Sequence, residues 1–327
     1  MIMPGFFWKL WTNHTISRRS VISWIILVVI VTACVPPSNG KPENKFTPVP
    51  LDEQPEPGDY HQSITINEVH RFYNLHIPSN YEPGVPVPLI INLHGRGGTA
   101  FGQDQLSFMT AKAEQEGFIV VTPQAPGSPA TWWPAPGPNG QEDLDFFKGL
   151  IAHLESQLSI DPARIYVTGF SNGGAMANWL GCNLSEKIAA IAPVAGAHPQ
   201  MSTCEPGHPV AVIVFHGQED RIVPYLGDGG YLPPVPAWSA AWAYRNGCDP
   251  NPAMDAPLKT VTRQTWQECA GNATVMLYSI DGGRHDWPGS GFGPGPYLED
   301  LAPDVYATDL IWDFFLDHPK DLNSGRR

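Results

Sequence analysis

The feature that most constrains this chain is Gly169-Phe170-Ser171-Asn172-Gly173-Gly174. It follows the β-rich run Arg164-Ile165-Tyr166-Val167-Thr168 directly and leads into the helical stretch Ala175 to Leu180. A serine between glycines at a strand-to-helix junction sits on a sharp turn, where side chains at the glycine positions would meet neighbouring backbone. The helix N-terminus behind it favours negative charge. A chain built around such a turn needs a parallel strand in front of the serine and a helix behind it, repeated on either side.

That repeat is present. Pro88 to Leu93 and Gly117 to Thr122 read as buried strands flanking a helical stretch at 103–116. Residues 141–158 carry Leu144, Phe147, Ile151 and Leu154 at helical spacing. Further strands are expected at 188–192, 210–215 and 275–280, and a last helix from about Asp304 to Leu316. Residues 63–77 should add antiparallel edge strands. Alternation of this kind predicts an α/β fold, a mostly parallel doubly wound sheet with helices on both faces.

A serine hydroxyl is a weak nucleophile that needs a base, and the base needs an orienting acid. After the strand at 210–215 comes His216-Gly217-Gln218-Glu219-Asp220, where either Glu219 or Asp220 can be the acid. After the strand at 275–280 comes Asp281-Gly282-Gly283-Arg284-His285, a glycine-rich loop that can carry an imidazole over the sheet edge. The order serine, acid, histidine makes His285 the expected base, and His216 is read as structural. An oxyanion site takes one N–H from Asn172 and a second from the turn His94-Gly95-Arg96-Gly97-Gly98, where Arg96 is preferred over its neighbour Gly95. That turn lacks the Gly-Lys-Ser/Thr ending of a phosphate loop. No cofactor or metal is expected, since no CxxC or HExxH spacing occurs. Trp133, in Trp132-Trp133-Pro134, and Trp287 are expected to line the substrate rim, with further rim loops at 226–236 and 289–297.

The N-terminus is of another kind. Residues 1–33 hold Lys9, Arg18 and Arg19, no acid, and an uncharged apolar stretch from Val21 to Ala33. This is the pattern of an export signal, too short for a transmembrane helix of about 20 residues. Val31-Thr32-Ala33-Cys34 resembles the lipobox of bacterial lipoproteins, which implies cleavage before Cys34 and a diacylglycerol on its sulfur. Ser17-Arg18-Arg19-Ser20 weakly resembles a twin-arginine signal. The expected organisation is a signal peptide at 1–33, a Pro-rich tether at 34–60, a catalytic domain at 61–320 and a tail at 321–327.

An exported, envelope-anchored protein folds in an oxidising compartment. Cys182, Cys204, Cys248 and Cys269 are therefore expected to form disulfides; four cysteines allow three pairings, of which Cys182–Cys204 with Cys248–Cys269, the sequence-local solution, is favoured. With 19 basic and 32 acidic residues the formal charge is −13. Loss of the signal removes three basic residues and no acid, which leaves −16. Nucleic acid is thus not an expected partner; the lipid is the expected membrane contact, and a monomer is expected.

Together, Leu93-His94-Gly95, Gly169 to Gly174, His216-Gly217 through Asp220 to Pro224-Tyr225, and His285-Asp286-Trp287-Pro288-Gly289 resemble the esterase family of polyhydroxybutyrate depolymerases and feruloyl esterases. The resemblance spans roughly residues 65–317. It implies an α/β-hydrolase fold, with Ser171 as nucleophile, His285 as base and Asp220, rather than Glu219, as acid. Arg284 departs from the small residue usual before that histidine. The implied substrates are small or oligomeric esters of hydroxyalkanoate, feruloyl or acetyl-sugar type. A serine peptidase of the same fold and a catalytically inactive binding lipoprotein are the alternatives.

Overall fold

A computed structural model describes residues 55–199, 204–290 and 305–322. The expected signal peptide, Cys34, and the expected tether up to residue 54 lie outside the described residues, as do residues 323–327 of the tail. Two long strands come first, β1 (Gly58–Ile66) and β2 (Val69–Ile77), paired antiparallel so that Gly58 faces Ile77. The first strand thus begins inside the stretch expected to be tether. Gly58, Asp59 and Tyr60 have partners in β2, and a paired backbone needs no apolar side chains of its own to be ordered.

The chain then alternates. It runs through β3 (Val87–Leu93), α1 (Ala100–Ser107), α2 (Met109–Glu116), β4 (Ile119–Pro123), α3 (Pro138–Gln157) and β5 (Ile160–Phe170). It continues through α4 (Asn172–Asn183), β6 (Ala190–Val194), β7 (Ala211–Gly217), α5 (Val235–Arg245), β8 (Ala253–Leu258), β9 (Val261–Trp266), β10 (Val275–Ile280) and α6 (Ala307–Asp317). Among the described residues ten strands form one sheet in the order β1-β2-β4-β3-β5-β6-β7-β10-β9-β8. Its six central strands are parallel, and an antiparallel pair closes each edge.

The parallel strands read as nearly continuous aliphatic runs because helices cover both faces. Along β3, Leu89, Ile91 and Leu93 face the core under α3, α4 and α5, whereas Ile90 faces the core under α2 and α6. On the second face Tyr166 stacks on Phe315 at 4.5 Å and Phe118 on Trp312 at 4.3 Å. Each side chain of this size stabilises the fold by about 1.5–3 kcal/mol when taken out of water.

Three local expectations change. The single helix at 103–116 is two helices, because Phe108 adopts φ 52° and donates its N–H to the Asp104 carbonyl. The expected rim loop at 226–236 ends in the first turn of α5, where Pro236 is the second residue. The hairpin β8–β9 and helix α5 carry no strong apolar period and escape the sequence reading. Both disulfides form, Cys182–Cys204 and Cys248–Cys269.

Candidate active site

The six parallel strands end on one edge, where loops after β3, β4, β5, β6, β7 and β10 converge. In doubly wound sheets this edge holds the ligand. Ser171 stands between β5 and α4 with φ 54° and ψ −114°, a conformation costing about 1–3 kcal/mol for a residue with a Cβ. Its backbone is over-determined. The Ser171 N–H donates to the Val194 carbonyl at 2.9 Å, and its carbonyl accepts from Ala175 and Ala197, each at 3.0 Å. The flanking glycines are required by contact. A Cβ on Gly173 would lie 2.2 Å from the Leu93 carbonyl oxygen, and one on Gly169 would lie 2.6 Å from the Gly173 carbonyl.

Asp220 follows β7 and is 5% exposed. Its Oδ1 accepts from the N–H groups of Ile222 and Val223, both at 2.8 Å. Its Oδ2 lies 2.7 Å from His285 Nδ1 and 3.4 Å from His216 Nε2. Burial works against the charged form, but hydrogen bonds from His216 and His285, the imidazole charge and the Val223 N–H outweigh it. They hold the carboxyl well below the usual carboxylate range. The neighbouring Glu219 is exposed, and its backbone N–H, not its carboxylate, joins the site by donating to the Gly283 carbonyl at 2.8 Å. That bond, and the Gln218 N–H on the Ile280 carbonyl at 2.8 Å, stitch the β7 loop to the β10 loop and so set Asp220 beside His285. The His285 ring packs on Phe170, the residue before Ser171, with centroids 4.8 Å apart.

His216 Nε2 lies 2.8 Å from the Val223 carbonyl, which can only accept, so that nitrogen carries the proton. The side chain pins the turn that presents Asp220, which is a structural position.

The turn after β3 is shaped by His94. Its Nε2 accepts the Ala125 N–H at 3.0 Å, so the ring proton sits on Nδ1 and is donated to the Gly95 carbonyl at 2.7 Å. Burial, the larger effect, keeps this imidazole below its ordinary pKa despite the Gly95 bond. The Gly95 carbonyl also accepts from the Gly98 N–H at 2.9 Å. In a planar trans peptide the N–H points opposite the carbonyl, so the Arg96 N–H is aimed away from His94. By the same rule the two donors on the Ser171 carbonyl fix the direction of the Asn172 N–H. The Gly97 N–H is spent on the Ala130 carbonyl at 2.7 Å. Gly95 abuts the serine, since a Cβ there would lie 3.4 Å from Ser171 Cβ.

Of the two expected rim tryptophans, Trp287 departs from expectation. Trp133 is 48% exposed on the loop after β4, with its N–H on Asp143 Oδ2 at 2.8 Å. Trp287 is 1% exposed. Its indole N–H donates to Thr308 Oγ1 at 3.0 Å, and its ring joins the core beneath α6. It is a core residue rather than a rim residue, because the returning C-terminal helix covers it. Trp132, the sequence neighbour of Trp133, is also buried, and it contacts both His94 and Asn172. His198, after β6, is buried flat on Trp238 with centroids 3.9 Å apart. No sequence signal distinguished either. Among the described residues no group of three or more His, Cys, Asp or Glu side chains is arranged to hold a metal ion. Part of the expected rim loop 289–297, from residue 291 on, lies outside the described residues.

Residues 141–228, which include Ser171 and Asp220, match the Phospholipase/Carboxylesterase family. Feruloyl esterase B of Piromyces equi is 32% identical over 223 residues, 64% of this chain. The chain spans only 41% of that relative's length. Feruloyl esterase C of Emericella nidulans is 30% identical over 283 residues, 83% of this chain and 94% of the relative. Acetyl xylan esterase from Aspergillus awamori superposes with a TM-score of 0.57 over 78% of this chain and 99% of its own, at 19% identity, a likeness of fold. With a relative of that identity matched over nearly its whole length, the chain belongs to the feruloyl esterase family, carboxylic-ester hydrolases of the α/β-hydrolase superfamily.

Proposed function

We propose that the chain is an exported serine esterase that cleaves small or oligomeric carboxylic esters through an acyl-enzyme. The observation that carries this reading is the 2.7 Å contact of His285 Nδ1 with buried Asp220, made by an imidazole packed on Phe170 beside the strained Ser171. Asp220 holds the ring with its proton on Nδ1, which leaves Nε2 as a base. His285 takes the Ser171 proton as Oγ attacks the ester carbonyl, and the oxyanion is stabilised by the N–H groups of Arg96 and Asn172, each worth about 3–4 kcal/mol. The alcohol leaves with the proton from His285. Water, deprotonated by the same imidazole, then releases the acid and restores Ser171.

Feruloyl, acetyl-sugar and hydroxyalkanoate esters are the proposed substrate classes, with Trp133 as the exposed aromatic surface for a ring or sugar. The two disulfides support an extracytoplasmic location. The proposed form is a monomer, cleaved before Cys34 and lipidated there, with residues 34 to about 57 as tether.

The test compares p-nitrophenyl acetate, p-nitrophenyl butyrate and methyl ferulate for wild type and Ser171→Ala. Loss of about 10³-fold or more in the variant is expected. Equal rates in the two proteins would overturn the serine reading, and preference for an amide over its matching ester would favour a peptidase.

A further inference from the structure

We propose that Trp132 is a positioning residue that sets the two oxyanion donors relative to each other. This rests on the assignment of Arg96 and Asn172 made above. Those donors come from different elements, the turn after β3 and the start of α4, and nothing in either element alone fixes their separation. Trp132, on the loop after β4, touches both. Its indole N–H donates to the His94 carbonyl at 2.9 Å. Its backbone N–H donates to Asn172 Oδ1 at 2.8 Å, and its carbonyl accepts from Asn172 Nδ2 at 3.2 Å.

The consequence follows from peptide planarity. The bond to the His94 carbonyl fixes the 94–95 peptide plane, and His94 Nδ1 with Gly98 N–H fixes the 95–96 plane. The Arg96 N–H lies in the second of these planes, and the first, joined to it at the Gly95 Cα, is held by Trp132. On the other side, Asn172 presents its backbone N–H as the second donor while its side-chain amide grips the Trp132 backbone at both polar groups. One residue thus ties both halves of the site.

The brace is itself anchored. The Trp132 ring lies against Phe147 and His94, and the Arg71 guanidinium stands 5.5 Å from its centroid. Buried Asp143 of α3 binds Arg71 at 3.0 Å and the Trp133 N–H at 2.8 Å, which fixes the next residue to the helix. A ring serving only to fill the core needs shape alone, and a phenyl ring would supply most of it. The indole N–H and the amide grip go beyond that shape: the first fixes which way the His94 carbonyl faces, and the second holds the Trp132 backbone to Asn172.

The experiment measures kcat, KM and inhibition by an aryl trifluoromethyl ketone, whose hemiketal oxyanion occupies the donor site, for Trp132→Phe and Asn172→Ala. Both substitutions keep the backbone N–H donors; Trp132→Phe removes the indole bond to the His94 carbonyl, and Asn172→Ala removes the amide grip on the Trp132 backbone. A displacement of the donors by about 1 Å is expected to cost about 10–100-fold. That loss should appear equally in kcat and kcat/KM, with KM within about threefold of wild type and ketone affinity falling in parallel. Near-UV circular dichroism and thermal unfolding establish that the variants are folded; if Trp132→Phe does not fold, Asn172→Ala decides by the same criteria. A folded variant with kcat within threefold of wild type, or a loss confined to KM, overturns the proposal. Ser171→Ala in the same assay separates the two levels: activity persisting there removes the serine reading itself, whereas its loss alongside an intact Trp132→Phe removes only the brace.

Discussion

Asp220→Asn changes few atoms and one charge, and the geometry dictates its effect. The carboxylate serves four donors: Ile222 and Val223 N–H on Oδ1, His285 Nδ1 and His216 Nε2 on Oδ2. An amide offers one oxygen and one NH₂. If the NH₂ faces the loop, it meets the N–H groups of Ile222 and Val223 and satisfies neither, at about 1–3 kcal/mol for the buried Val223 donor. The amide oxygen is therefore expected to stay on the loop, with the NH₂ turned toward His285. His285 must then present the Nδ1 lone pair and carry its proton on Nε2, the nitrogen turned away from Asp220. In that tautomer it cannot take a proton from Ser171. Expected is a loss of about 10⁴ in kcat, about 5.5 kcal/mol of transition-state stabilisation. Initial rates of p-nitrophenyl acetate hydrolysis measure it, with Glu219→Gln as the exposed control expected within twofold of wild type. Asp220→Asn within tenfold of wild type, or a Glu219→Gln defect of the larger size, would refute the reasoning.

Gly173→Ala places a methyl 2.2 Å from the Leu93 carbonyl oxygen and must push α4 off the β3 turn. About 1–3 kcal/mol of stability should be lost together with most activity, read by thermal unfolding and kcat, and a wild-type-like variant would contradict the close packing. Replacing Cys182 and Cys204 together by serine opens a 22-residue loop and should cost about 3 kcal/mol in urea unfolding. An unchanged midpoint would count against that link. Acid should destabilise the fold through His198, which burial holds well below its ordinary pKa, and both of whose ring nitrogens lack partners among the described residues. Below about pH 6.5 the unfolded chain binds a proton that the native imidazole refuses, so stability falls as pH falls, by about 1.4 kcal/mol per unit. Urea titrations at pH 7, 6 and 5 should show this slope reduced in His198→Phe; the same slope in both proteins would contradict it.

Much of this architecture is legible in the sequence because the physics is local. The short aliphatic runs of β3, β5, β6 and β7, bounded by turn residues, read as strands covered on both faces, and Gly169 and Gly173 announce a turn too tight for side chains. Helix α5 was hidden by its composition, Val-Pro-Ala-Trp-Ser-Ala-Ala-Trp, whose small residues and proline look like loop. The hairpin β8–β9 is an exposed edge, so no apolar alternation marks it. The break at Phe108 has no glycine or proline to signal it. Glu219 and Asp220 differ only in which one the turn buries, and that depends on the Gly283 loop some 60 residues away. The burial of Trp287 and the contacts of Trp132 are not legible locally for a related reason. What covers the first is α6, and what the second holds is a pair of loops distant in sequence.

The proposed esterase chemistry rests on Ser171 Oγ as the nucleophile. It is tested most directly by treating the protein with p-nitrophenyl diethyl phosphate and following released nitrophenol, intact mass and peptide map together. One diethylphosphoryl group per chain is expected, located on Ser171, with activity lost in proportion and no adduct in His285→Ala. Full inactivation with Ser171 unmodified, or an adduct elsewhere that tracks the loss of activity, would contradict it.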